Sequence, residues 1–93
     1  MRGLIASMDY CYGCGRSGRL EVHHVFHGTA NRKLADEDGM VVALCPCCHR
    51  GYKGVHRDAA FDLRLKQDAQ RVWQVYYHKT TEDFIQRYGR SYL

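Results

Sequence analysis

Two kinds of side chain that bind metals, thiols and imidazoles, are concentrated in this chain of 93 residues. The segment RLEVHHVFHG, residues 19–28, places three histidines within five positions. Four of the five cysteines form two C-x-x-C pairs, Cys11/Cys14 and Cys45/Cys48. Two well-separated pairs of this spacing are typical of a structural zinc site, because one tight turn supplies two of the four tetrahedral ligands.

A disulfide framework is the alternative interpretation of the same cysteines. It requires an oxidising compartment, and the N-terminal residues MRGLIASMDY contain too short an apolar run for a signal peptide. No stretch approaches the roughly 18 apolar residues of a membrane span. We therefore expect a reduced, cytoplasmic protein with no membrane partner. Cys47 is the leftover thiol and is predicted to be a bystander, although a redox role for Cys45, Cys47 and Cys48 is a further alternative.

The elements that must position the cysteines can be predicted from the local patterns. The first pair lies in a glycine-rich knuckle, in which Gly13 and Gly15 favour a tight turn. RLEVHHVF and MVVALC are rich in β-branched and apolar residues and are predicted to be paired strands. Residues 27–39 between them are polar and predict a loop with one helical turn. Pro46 suits the first position of a helix. A knuckle, a hairpin and a helix in this order are typical of a treble-clef zinc arrangement.

The C-terminal part of the chain predicts two helices. From Asp58 to about His78, apolar residues recur at spacings of three, four and seven, as on one face of a helix. The second helix lies in TTEDFIQRYGRSYL, with Thr80 as its N-cap, Asp83 three residues later and Gly89 as its stop. The aromatic residues of both helices are interpreted as core packing between them rather than as a surface that stacks on bases.

These elements predict one small α+β domain over residues 1–93. Residues 9–57 would form the metal core, and residues 58–93 a helical cap. Four histidines near the hairpin remain once sulfur fills the zinc site: His23, His24, His49 and His56. The hairpin should bring the His23–His24 strand close to the helix that carries His49. A second metal ion held by imidazoles between strand and helix is therefore expected, since four histidines near one hairpin favour a functional site over isolated structural ones.

Together, the segments CYGCG, LEVHHVFHG and LCPCCHR resemble the HNH endonuclease superfamily. The resemblance covers residues 9–57, about half of the chain. In its small size, the chain is similar to phage-like members of that superfamily. It implies a ββα-metal site built on a treble clef. It also implies a metal-dependent enzyme that hydrolyses phosphodiester bonds in DNA. A monomer with one site would nick DNA, and a homodimer is one arrangement that would cut both strands.

The resemblance also implies roles for individual residues. His23 would bind a divalent metal ion and His24 would be the general base that activates water. His49, directly after the second C-x-x-C pair, would be a second metal ligand, and His56 is the candidate for a third. An asparagine braces the base in this family, and Asn31 is the one asparagine of the chain.

Asn31 lies earlier than the usual position of this asparagine, which is just before the second strand. The alternatives for orienting the base are the backbone carbonyl near Gly39 and the side chain of Asp38. All-imidazole ligands suit Zn²⁺, Ni²⁺, Mn²⁺ or Co²⁺ better than Mg²⁺. Mg²⁺ and Mn²⁺ are the alternatives when water and phosphate oxygens complete the coordination shell.

Basic residues around the two clusters are candidates for binding DNA phosphates: Arg50, Lys53 and Arg57. The formal net charge is +4, and four zinc-bound thiolates with one Zn²⁺ would lower it to about +2. This charge permits nucleic-acid binding without requiring it. The second functional hypothesis is therefore a non-catalytic, zinc-stabilised module that binds DNA or a protein. Such a module needs the cysteines and the basic residues but not the histidine pair.

Overall fold

The computed structural model describes residues 3–52 and 54–93. In these residues a two-stranded antiparallel sheet is combined with four helices. The elements in chain order are β1 Glu21–His24, α1 Thr29–Asp38, β2 Val41–Leu44, α2 Pro46–Arg50, α3 Ala59–Tyr76 and α4 Thr81–Tyr88. The predicted α+β class, both strands and both C-terminal helices are confirmed. No helix in the described ranges has both the length and the apolar character required to cross a membrane.

The hairpin determines which histidine faces the interior. β1 pairs with β2 in antiparallel register, with His23 opposite Val42 and His24 opposite Val41. All four residues of β2 are buried, as its uninterrupted apolar sequence predicts. On β1, His23 is 2% exposed whereas Val22 is 44% exposed. The alternation along a strand thus turns one imidazole of the His23–His24 pair into the protein.

The helix α1 corrects the prediction of a loop with one helical turn over residues 27–39. It has ten residues, and its N-cap, Gly28, offers no side chain to accept a hydrogen bond from the first turn. Only Ala35 and Asp38 of this helix are buried, so the sequence contains no apolar stripe that would have revealed it. The helix ends at Gly39, whose φ of 73° is the left-handed conformation that glycine favours at helix ends.

The two C-terminal helices begin and end where the sequence predicts. Asp58 caps α3 by accepting from the backbone N–H groups of Ala60 and Phe61. Thr80 and Asp83 form a reciprocal capping box at the start of α4, and Gly89 ends that helix in a left-handed conformation.

The prediction of aromatic core packing is confirmed at the contact between α3 and α4. Trp73, Phe84 and Tyr88 are buried, and the rings of Trp73 and Phe84 lie 5.3 Å apart in an edge-to-face arrangement. Trp73 is 4% exposed and is therefore committed to the core rather than to a dimer surface.

The carboxylate of Asp38 joins three helices and is 8% exposed. Its oxygens accept hydrogen bonds from Trp73 Nε1 at 2.8 Å and from the Tyr88 hydroxyl at 2.7 Å. The guanidinium of Arg87 donates to both oxygens, at 2.6 and 2.8 Å. The alternative that Asp38 orients the general base is therefore wrong, because this side chain is engaged by α3 and α4.

Replacing Asp38 by asparagine is expected to lower the free energy of unfolding by roughly 3 kcal/mol, because it removes one member of a largely buried charge pair. Urea denaturation followed by circular dichroism measures this change. Glu37→Gln is the matched control: Glu37 lies 3.7 Å from Arg87 but its side chain is 54% exposed. The expected change for this control is below about 1 kcal/mol. Equal losses in the two variants would contradict the role given to Asp38.

Candidate metal centres

Four sulfur atoms from two distant parts of the chain converge beside the hairpin. The Sγ atoms of Cys11, Cys14, Cys45 and Cys48 all lie within 4.8 Å of one another, and those of Cys14 and Cys45 are 3.7 Å apart. Two thiolates at about 2.3 Å from a tetrahedral zinc ion are separated by about 3.8 Å. All five cysteines are free. The cluster can therefore hold a structural metal such as zinc. The alternative of a disulfide framework is wrong, because none of these cysteines is disulfide-bonded.

Backbone geometry in the first knuckle brings the sulfurs together. The N–H of Cys11 donates to the carbonyl of Arg16 at 2.7 Å, and the N–H of Gly15 donates to the carbonyl of Cys11 at 2.8 Å. Gly15 has a φ of 80°, which L-residues rarely adopt. A Cβ atom on Gly13 would lie 2.8 Å from the Sγ of Cys48. The two glycines thus permit the turn and the close approach of the two pairs.

The thiols of the cluster differ in acidity. Burial opposes ionisation of Cys11, but the backbone N–H groups of Cys45, Cys14 and Gly13 bring the pKa of its thiol down to about 6. Burial and the neighbouring thiols raise the pKa of Cys48. A zinc ion would counteract this rise, since coordinated thiols are deprotonated.

The fifth cysteine and the second metal group are separate from this cluster. Cys47 is exposed and is not one of the four converging thiols, in agreement with its prediction as a bystander. The second group consists of His23, His49 and His56, which bring one nitrogen each within 4.8 Å of one another. Nε2 of His49 and Nε2 of His56 are 3.0 Å apart, and the rings of both lie 5.2 Å from that of His23. These three side chains can hold a metal ion, and they are the three that the sequence analysis selected.

Three elements position these imidazoles. His23 projects inward from β1, and His49 lies on α2 directly after the cysteine cluster. The segment after α2 folds back on that helix, with the N–H of Val55 donating to the carbonyl of Cys48 at 2.7 Å. Gly54 makes this approach possible, since a Cβ atom there would lie 2.9 Å from the carbonyl oxygen of His49. His56 is therefore brought over His49 by the main chain.

The environment of His23 suits a metal ligand. Burial, and then repulsion by His49, His27 and His56, lowers the pKa of His23 to about 3. The ring is thus neutral across the physiological range, as a ligand must be. Its Nε2 is buried and has no hydrogen-bond partner among the described residues. Buried polar atoms are ordinarily paired, so this nitrogen needs a partner that a cation would supply.

A carboxylate behind His49 determines which of its nitrogens faces the cluster. Oε1 of Glu21 lies 2.7 Å from Nδ1 of His49, and an ionised carboxylate can only accept. Nδ1 therefore carries the proton and Nε2 presents its lone pair, as is usual for metal-binding histidines. Hydrogen bonds from His49 and Arg50 lower the pKa of Glu21. The sequence analysis missed Glu21, although its position two residues before His23 on β1 places both on one face of the strand.

The candidate general base, His24, also has a carboxylate partner. Its Nε2 lies 2.7 Å from Oδ1 of Asp36 on α1. The bracing role predicted for Asn31 is not reflected in its contacts, because its amide donates to the carbonyl of Tyr88 at 3.3 Å. The carbonyl of Gly39, the other alternative, accepts from the N–H of Leu4. Asp36 was missed because α1 was predicted to be a loop.

The histidines line a cleft of about 240 Å³. The residues predicted to bind phosphate differ in their surroundings. Arg50 donates to both oxygens of Glu21, at 3.1 and 2.6 Å, and its phosphate contact stays a prediction. Arg57 is exposed. Lys53 lies outside the described residues. Arg32 lines the histidine cleft and was not among the selected candidates.

A comparison of the chain with protein-family models, with curated proteins and with solved structures finds no match. The functional argument therefore depends on the geometry of the two clusters and on the chemistry of their side chains.

Proposed function

We propose that the chain is a metal-dependent endonuclease of the HNH type that hydrolyses phosphodiester bonds in DNA. The observation that carries this proposal is the convergence of His23, His49 and His56 in one cleft that His24 also lines. The four-cysteine cluster at the knuckle and the start of α2 supports a treble-clef scaffold beneath this cleft. Free thiols of this kind persist in a reducing compartment, which supports a cytoplasmic location.

The three imidazoles would hold the divalent ion, with the orphaned Nε2 of His23 as the clearest ligand atom. When bound, the ion supplies Lewis-acid stabilisation of the charge that develops on the scissile phosphate and on the leaving 3′ oxygen. Imidazole ligands favour Zn²⁺, Ni²⁺ or Mn²⁺, and Mg²⁺ is the alternative when water and phosphate provide most of the oxygens.

His24 is proposed as the general base. Because the carboxylate of Asp36 accepts, Nε2 of His24 carries the proton and its Nδ1 is left with a lone pair. A neutral imidazole can take a proton from water near neutral pH. Asp36 acts as a positioning residue that fixes the orientation and tautomer of the ring, with no contact to the reacting atoms.

The substrate-binding part of the proposal rests on cations around the cleft. Arg32 lines the cleft itself and is the nearest candidate for the phosphate beside the scissile bond. Arg57 is exposed and free to bind a phosphate farther along the strand, whereas Arg50 is held by Glu21. Contacts of this kind position a nucleic acid without reading its sequence, so weak sequence specificity is expected.

A plasmid-nicking assay tests the proposed activity. The zinc-loaded chain is incubated with supercoiled plasmid and added Mn²⁺, Mg²⁺, Ni²⁺ or Zn²⁺. Open circular plasmid is expected to form with at least one of these ions. Excess EDTA added before the ion is expected to prevent its formation. His49→Ala is expected to lower the nicking rate at least about tenfold by removing a metal ligand.

His78→Asn is the matched control for this assay. His78 is not a member of the group formed by His23, His49 and His56, and it has a left-handed φ of 56°, which asparagine tolerates. Its nicking rate should equal that of the unchanged chain. DNA binding without nicking by any of the four ions would instead favour the non-catalytic zinc-stabilised module.

A further inference from the structure

A second set of metal-binding side chains faces the same histidine cleft. His27 follows β1, and Asp62 lies in the first turn of α3. One nitrogen each of His23 and His27 and one carboxylate oxygen of Asp62 lie within 4.8 Å of one another. The proposed catalytic function uses neither His27 nor Asp62.

Two unpaired atoms mark this group as a site for a ligand. Among the described residues, Nε2 of His23 and Oδ1 of Asp62 are the buried side-chain atoms that have no hydrogen-bond partner. His23 is itself 98% buried, since only 2% of it is exposed. The other oxygen of Asp62 accepts from Nζ of Lys66 at 2.8 Å, which holds the carboxylate in place. Unsatisfied buried atoms are rare in folded proteins, and here both occur in one cluster.

An ion pair between His27 and Asp62 does not account for this arrangement. Nε2 of His27 lies 3.6 Å from Oδ1 of Asp62, which is too long for a hydrogen bond. Two ligands of one tetrahedral ion with bonds of about 2.1 Å are separated by about 3.4 Å. The observed gap thus fits two atoms that share a cation better than it fits two atoms that contact each other. A nitrogen of His23 lies within 4.8 Å of both and is within reach as the third ligand.

We propose that His23, His27 and Asp62 form a second position for a divalent transition-metal ion. Two imidazoles and one carboxylate suit Zn²⁺, Mn²⁺, Co²⁺ or Fe²⁺. This position shares His23 with the group that contains His49 and His56. An ion at this position links α3 to the hairpin. The proposal concerns metal binding alone and stands independently of the nuclease activity.

Calorimetric titration with Co²⁺ separates the two positions. The protein used is the full chain with its cysteine cluster already filled with zinc. The first position is the one formed by His23, His49 and His56. In the double variant His49→Ala/His56→Ala, it has lost two of its three ligands. One Co²⁺ per chain is still expected to bind, with ligand-field absorption bands that report nitrogen and oxygen ligands. Adding Asp62→Asn or His27→Ala to the double variant is expected to weaken this binding at least about tenfold.

Asp68→Asn in the same double variant is the matched control. Asp68 is a carboxylate on the same helix, and its partners, Tyr12 and Arg71, belong to none of the three metal-binding groups. It should leave Co²⁺ binding unchanged. The proposal is overturned if the double variant binds no Co²⁺, or if Asp62→Asn and His27→Ala leave the binding unchanged. The titration contains no nucleic acid, so a failed nicking assay and a failed titration are distinguishable.

Discussion

Replacing His24 by alanine is expected to lower the rate of metal-dependent DNA nicking by about 10²–10⁴-fold, the usual contribution of a general base. The structure provides the reason for expecting a selective effect. The ring of His24 is not a member of either histidine metal group, so its removal leaves those ligands in place. Its hydrogen-bond partner, Asp36, is 46% exposed, so the contact adds little to the stability of the fold. Nicking rates at saturating metal, with metal content measured in parallel, check this expectation.

Two further variants distinguish a base from a structural histidine. Asp36→Asn retains the ring of His24 but replaces a carboxylate that can only accept with an amide that can also donate, so the tautomer of His24 is no longer fixed. A smaller loss of nicking rate is expected than for His24→Ala. Added imidazole is expected to restore part of the activity of His24→Ala and none of the activity of His49→Ala. A His24→Ala chain that nicks at the unchanged rate, or that loses its metal together with its activity, would exclude His24 as the base.

The parts of the fold that were predicted correctly depend on short-range patterns. The spacing of the two C-x-x-C pairs itself identifies the turns that carry them. The apolar run of β2 is long enough to identify a buried strand. The capping box at Thr80 and Asp83 and the stop at Gly89 lie within a few residues of the helix that they delimit. Each of these features can be identified without knowledge of where the chain goes next.

The parts that were missed depend on tertiary contacts. α1 has neither a capping side chain nor an apolar stripe, and its buried Asp38 is satisfied by donors that lie 35 to 50 residues later in the chain. The carboxylates that lie beside the imidazoles come from three different elements: Glu21 from β1, Asp36 from α1 and Asp62 from α3. Acidic residues are frequent on protein surfaces, so sequence spacing alone does not separate these three from the rest.

The histidines were easier to select than their carboxylate partners. Three of the six histidines follow one another closely in and after β1, and His49 adjoins a cysteine, so the spacing itself marked them. His27 nevertheless received no role, because nothing in the sequence brings it near Asp62. Asn31 received one because it is the only asparagine, although its amide contacts Tyr88. A role carried over from a family is therefore weakest where this chain departs from the spacing of that family.

The four-cysteine cluster, filled with zinc, is expected to have the largest effect on stability. Structural zinc binds small domains with about 10–16 kcal/mol, which is as large as the roughly 5–15 kcal/mol by which whole domains are stable. Cys45 is 1% exposed and lies between β2 and α2, so a metal ion bound by its sulfur would hold the knuckle against the hairpin. Cys45→Ser, or removal of the metal with a strong chelator, is therefore expected to abolish cooperative thermal unfolding. Circular dichroism and zinc content together measure this loss.

Cys47→Ser provides the matched control, since it makes the same chemical change two residues away. Cys47 is exposed and is not one of the four converging thiols, so its variant should bind one zinc ion and melt within a few degrees of the unchanged chain. Equal losses of zinc content and of the melting transition in both variants would contradict a site with four specific cysteine ligands. A Cys45→Ser chain that keeps its melting transition without zinc would show that the helices and the hairpin fold unaided, and the metal would lose its structural role.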